Sequence, residues 1–213
     1  MSDTVIKNHA ENLQEEHVHR DDFGAKMGMW LFLFTEILLF GGLFLLYMAY
    51  RLEYSHEFHI AARELNVGIG TFNTIILLTS SLTMALSIAA MQRSRKGLSL
   101  FLLASTKILA IGFLVNKYFE WSAKFEHGLY PRSDVLLDKP RGEYLFYGMY
   151  YAMTGLHAIH VIAGMTILIF MFVFIWRNII TPTNYVKLEN AGLYWHLVDL
   201  IWIFLFPLFY LIR

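Results

Sequence analysis

The sequence predicts an all-α protein, an integral membrane bundle of five transmembrane helices. Two observations carry this. Hydrophobic residues make up 57% of the 213 residues and charged residues only 16%, with a mean hydropathy of +0.48, whereas soluble domains carry about 25% charged residues. The apolar residues also gather into long runs, and a bilayer core of about 30 Å needs roughly 20 of them per helix.

Residues 1–24 are polar, include His9, His17 and His19, and hold no apolar stretch. They read as a flexible or surface-lying tail, not a cleavable signal, ahead of one membrane domain over 25–213. The first run spans about Met27 to Tyr50 and reads as a signal anchor. The second spans about Val67 to Met91 and the third about Leu98 to Trp121. The QRSRK break between them is so short that they must be antiparallel neighbours. Phe125–Glu143 carries Gly128, Pro131, Pro140 and Gly142 and reads as a loop. The fourth run, about Tyr144 to Trp176, is longer than a span needs, so tilt or protrusion is expected. Asn178–Asn190 reads as a turn around Thr181-Pro182, and the fifth run covers about Leu193 to Ile212.

Charge and motif content remove several function classes. Lys plus Arg equal Asp plus Glu at 17 each, so no global basic field draws nucleic acid. Cysteine is absent, which excludes disulfides, thiolate nucleophiles and cysteine-ligated metal. No phosphate loop, dinucleotide fingerprint, nucleophile elbow or HExxH pair occurs. A self-contained enzyme is not expected.

A few polar residues inside the runs carry the functional question. Glu36 lies near mid-span in FTEILLF, where a charge costs about 2.5–3.5 kcal/mol on insertion scales. It suits a proton path, a partner helix or a lipid head group; equally, it suits a hydrogen bond fixing helix contacts. Lys107, inside the third run, could pair with Glu36 or snorkel its ammonium to the interface. Asn73, Thr79, Ser80, Ser81 and Thr83 suit close helix packing. His157 and His160 share a face of the fourth helix, and His196 with Asp199 sits in the fifth. Such histidines could ligate haem or metal, or hydrogen-bond neighbouring helices and lipid phosphates. Gly155 and Gly164 flank the first pair and permit close helix approach. Tyr and Trp cluster at the run ends as an interfacial belt. Arg51 and Arg177, also at run ends, are candidate lipid head-group contacts.

TGLHAIHVIAG (Thr154–Gly164) followed by LENAGLYWHLVDLIWIFLF (Leu188–Phe206) resembles subunit III of the haem–copper oxidases. FTEILLFGGLF, FNTIILLTSS and Tyr118-Phe119-Glu120 agree, in the same order, and the resemblance runs from about Lys26 to Arg213. Many family members have seven helices and hold lipid in a cleft formed by the first two, which the five-helix form would lack unless another subunit supplied them.

The resemblance implies a noncatalytic subunit, with no haem, copper or other metal on this chain. Haem and copper are expected on the catalytic subunit I, beside which it would pack together with subunit II and small subunits. The role implied is to protect the catalytic subunit and support proton uptake, with bound phospholipid shaping oxygen access. Glu36 becomes an intramembrane carboxylate at the subunit interface. His157, His160, Glu189, His196 and Asp199 become motif positions with structural or lipid-contacting roles. The Glu189-Asn190-Ala191 lead and Glu at position 36 resemble the cytochrome c branch. Quinol oxidases and nitric oxide reductase-associated homologues are the alternatives. Basic residues divide evenly between the two sides, but the Arg93/Arg95/Lys96 cluster favours a cytoplasmic N-terminus and an external C-terminus in a bacterial plasma membrane. Two rival readings from other classes are a stand-alone haem protein, pairing His157 or His160 with His196, and a small transporter coupling through Glu36 and Lys107.

Overall fold

The computed structural model describes residues 22–212, and within them the chain is helical with no named strand. The long helices are α1 (Asp22–Glu53), α3 (Val67–Gln92), α4 (Lys96–Glu126), α6 (Arg141–Trp176) and α7 (Val186–Phe206). Five segments are long and apolar enough to span a membrane, the last running through a π-turn at Pro207–Leu211. Of two short helices, α2 (Ser55–Arg63) lies between the first two runs and α5 (Asp134–Leu137) lies in the connection read from sequence as a loop. The tail expected over residues 1–24 falls almost wholly outside the described residues, and Asp22–Gly24 belong to α1.

Every span begins at or before its hydropathic run. The fifth begins at Val186, well before the expected Leu193, because Lys187, Glu189 and Asn190 form a polar first turn. α6 is 36 residues long; at 1.5 Å per residue it measures about 54 Å, far beyond a bilayer core. Its N-terminal turns stand against α2: a Cβ at Gly142 would lie 2.7 Å from both Tyr54 and Glu57 side-chain atoms.

α7 is the axis of the bundle. Trp195, Trp202, Val198 and Leu205 are fully buried along it. Gly164 of α6 lets Trp195 approach; a Cβ there would sit 2.9 Å from the indole. Gly70 of α3 does the same for Phe206 and Tyr210, at 2.8 Å. Gly155 faces Trp121 of α4 at a looser 3.3 Å.

The α3–α4 hairpin is held by a ladder of small polar groups. Ser87 donates to the Ser99 carbonyl at 2.9 Å, Thr83 and Thr106 hydroxyls meet at 2.8 Å, and Asn116 donates to the Asn73 Oδ1 at 3.0 Å. From the α7 side, Trp195 and Trp202 donate their indole N–H to Ser80 and Thr74 of α3. These groups meet each other inside the bundle, since hydrocarbon offers no other partner. α1, by contrast, buries only Leu33, Phe40 and Tyr47, a single seam at seven-residue spacing, and leaves large apolar side chains such as Leu38 and Leu45 outward.

Candidate functional site

Glu36 lies on that seam. Its Oε2 is 2.8 Å from Nε2 of His160 on α6, and both side chains are largely buried. Nδ1 of His160 lies 2.8 Å from the Leu156 carbonyl. A carbonyl only accepts, so Nδ1 carries a hydrogen. One proton then occupies the Glu36–His160 contact, on the imidazole as an ion pair or on the carboxyl as a neutral pair. Both arrangements have zero net charge, which suits a low-dielectric setting. Phe40 packs edge-on against the imidazole at 5.3 Å, and the Tyr194 hydroxyl donates to the His160 carbonyl at 3.2 Å. A cavity of about 400 Å³, lined by Met29, Phe32, Ala163, Ile167, Lys187 and Tyr194, lies between α1, α6 and α7; neither Glu36 nor His160 lines it.

The possible Glu36–Lys107 pairing does not occur. Lys107 points its ammonium over the Phe172 ring, 3.9 Å from the centroid, while Glu36 takes His160 instead. The transporter reading loses its proposed charge couple.

The remaining motif residues are not gathered around one centre. His157 is fully buried between Phe113 and Trp202, and neither ring nitrogen has a hydrogen-bond partner. His196 Nδ1 meets the Ser81 hydroxyl at 2.6 Å. Asp199 is buried beside the same serine, with no hydrogen-bond partner for either carboxyl oxygen. Glu189 bonds Lys26 at 2.9 Å and accepts from Gln92 at 3.3 Å, joining the starts of α1 and α7 to the end of α3. The side chains of Arg51 and Arg177 make no hydrogen bond or ion pair within the described residues, and Arg177 is exposed.

A haem or metal site does not fit this arrangement. Ligation needs a free imidazole lone pair; on His160 one nitrogen faces a carbonyl and the other a carboxyl. His157 is walled in by aromatic rings. Among the described residues no group of three or more His, Asp or Glu is disposed to hold a metal ion.

A second polar cluster escaped the sequence reading. Lys117 of α4 lies 3.0 Å from Glu120 and donates to the Tyr210 hydroxyl at 2.7 Å. Tyr150 and Tyr210 donate to Glu120 Oε1 at 2.8 and 2.5 Å. The ammonium also lies 4.9 Å from the centre of the Trp202 ring. The available signal was Lys117-Tyr118-Phe119-Glu120 itself, an i,i+3 ion pair inside an apolar run.

At the same end of the bundle, Lys139 bridges Glu143 at 2.8 Å and Glu64 at 3.1 Å, and Tyr147 donates to Glu64. Partial burial by itself would lower the Lys139 ammonium, but the two carboxylates outweigh it and its pKa is raised above the ordinary lysine value.

The comparisons with known proteins agree on one family. The sequence model described as cytochrome c oxidase subunit III matches residues 4–212. A haem–copper oxidase subunit I+III of Aeropyrum pernix is 32% identical over 88% of this chain, which spans only 22% of that protein. The cytochrome c oxidase subunit 3 of Alkalihalophilus pseudofirmus is 30% identical, covering 87% of this chain and 85% of that one. The cytochrome bo(3) ubiquinol oxidase subunit 3 of Pseudomonas aeruginosa is 26% identical over 99% of this chain and 98% of the relative. With a match over nearly its whole length and five membrane-spanning segments in one bundle, the chain belongs to the subunit III family of the haem–copper oxidases.

Proposed function

We propose that this chain is the noncatalytic integral subunit of a respiratory terminal oxidase of the cytochrome c branch. The complex reduces oxygen to water and moves protons across a bacterial plasma membrane. Haem and copper belong to subunit I and subunit II, against which this chain packs together with any small subunits. The I+III fusion of the A. pernix relative supports that neighbourhood, because a single chain there carries both names. The basic cluster Arg93/Arg95/Lys96 supports a cytoplasmic N-terminus and an external C-terminus. The tail over 1–24 lies ahead of the membrane domain over 25–213.

The observation that carries the reading is the Glu36–His160 pair on the narrow inner seam of α1. It fixes a carboxylate within a helix whose remaining surface is apolar and outward-facing, as an interface with a membrane partner requires. In this reading Glu36 stands at the border with the catalytic subunit and sustains its turnover and proton uptake. His157, Glu189, His196 and Asp199 hold helices together, and Arg51 and Arg177 meet lipid head groups.

Purification in mild detergent through a tag on this chain tests the assignment. Larger subunits and a haem spectrum should accompany it, and the haem should stay with them after this chain is stripped away. Haem leaving with this chain, or no haem at all, overturns it. A second reading, a quinol oxidase, is favoured by the end-to-end match with the P. aeruginosa ubiquinol oxidase subunit. Oxidation of reduced cytochrome c but not quinol by the purified complex decides between the two.

A further inference from the structure

A cavity of about 890 Å³ opens between the start of α3 and the end of α4, under the 127–139 connection. That is ample for a bound small molecule or head group. Its walls divide by chemistry. Ile69, Phe72 and Phe119 form an apolar lip that faces outward from the bundle, with Phe72 57% and Phe119 65% exposed. Deeper in, Lys124, Glu64, Glu120 and Lys139 face the space.

Three of those four charges have contacting partners. Glu120 is enclosed by Lys117, Tyr150 and Tyr210. Glu64 and Lys139 bond each other, with Tyr147 and Glu143 completing the set. Lys124 is the exception. It is 7% exposed and has no hydrogen-bond or ion-pair partner within the described residues; its ammonium lies 5.6 Å from the centre of the Tyr150 ring, and the Glu120 and Glu64 carboxylates act on it only through space. A buried ammonium without a contacting anion is costly. The N-terminus of the 26-residue α3, capped by Asn66, adds positive potential on the opposite wall.

We infer that this cavity binds the head group of one phospholipid, with its phosphate on Lys124 and its acyl chains running out over Phe72 and Phe119. The cavity lies where α3 begins and α4 ends, the depth at which bilayer phosphates lie. Lys117 offsets Glu120, whereas Lys139 faces two carboxylates, Glu64 and Glu143, so one excess negative charge accompanies the positive Lys124. That balance favours a zwitterionic, amine-bearing head over an anionic one. The Glu64 side chain, 39% exposed, is the acceptor for the amine. The inference deepens the lipid-bearing role expected of the subunit and rests on it, adding a defined site and a head-group class.

The test uses the intact complex purified through this chain. Bound phospholipid is counted by native mass spectrometry and by lipid phosphorus. Lys124→Gln should lose one phospholipid per chain, and Val135→Trp, which fills the cavity without touching the charge, should lose the same one. The delipidated complex should regain it from phosphatidylethanolamine vesicles with about tenfold preference over phosphatidylglycerol. Millimolar inorganic phosphate should not displace it. An unchanged lipid count in both variants overturns the site while leaving the wider lipid-bearing role intact. Displacement by inorganic phosphate makes it a small-anion site and overturns it too. A photo-crosslinker at position 135 that captures a neighbouring subunit instead of lipid also overturns it. A complex with no phospholipid at all overturns both the site and the wider role.

Discussion

Two buried polar contacts inside the bundle solve one problem in opposite ways. Glu36 and His160 meet across two helices, and their contact needs only one proton and one backbone carbonyl. Lys117 and Glu120 sit on one helix and are wrapped by tyrosines from two others. The first keeps its charge balance by sharing a proton. The second keeps it by surrounding two full charges with donors and an aromatic face. The first is therefore suited to join α1 to α6, and the second to lock α4, α6 and the end of α7 together.

That contrast is open to challenge, most severely at Glu120. Glu120→Ala strands the Lys117 ammonium and should cost about 3–5 kcal/mol, seen as loss of the chain from the assembled complex or a large fall in its melting temperature. The double change Lys117→Met with Glu120→Leu should recover much of that loss. If the double variant is as damaged as the single one, the cluster does more than balance charge. Tyr210→Phe keeps the ring and removes one donor to Glu120, so a smaller cost of about 1.5–3 kcal/mol is expected in the same melting assay.

Glu36→Ala should be milder for folding, about 1 kcal/mol, because His160 retains its Leu156 partner. Haem content of the complex should stay intact while activity decays sooner during turnover. An unaltered time course in a verified complex would remove Glu36 from the functional account. The smallest effect concerns Lys139, outside the spans. Its pKa is raised, so its stabilisation is complete below the ordinary value of 10.5 and disappears as pH rises through the folded value. Melting temperature followed into that alkaline range should fall more for the unaltered protein than for Lys139→Gln.

Much of the architecture was legible because hydropathy reports burial in lipid directly. The five spans and the antiparallel α3–α4 pair followed from run lengths and one short break. The polar residues of α3 were assigned to packing, and Asn73, Ser80 and Thr83 do bond across helices or to their own backbone. Hydropathy failed at the ends. α2 and the first turn of α7 are helical but polar, held by contacts such as Glu189 with Lys26, which a sliding apolar window does not register. At the site, Glu36 was visible because an acid in mid-span stands out, whereas its partner was not. His160 and Lys107 were both available in sequence, and only the packing of α1 against α6 selects the histidine. The Lys117–Glu120 cluster was hidden because its satisfaction comes from Tyr150 and Tyr210, remote in sequence and indistinguishable there from interfacial tyrosines.

The hydroxyl and amide ladder between α3 and α4 bears on biogenesis. Thr106 and Asn116 of α4 meet Thr83 and Asn73 of α3 across the shortest connection between spans, which turns at Ser94 with φ 60°. A polar span leaving the translocon alone would carry those groups into hydrocarbon unpaired. Two spans leaving together satisfy one another on the way in. The α3–α4 hairpin is thus equipped to insert as a single unit, giving the later helices a finished wall on which to assemble.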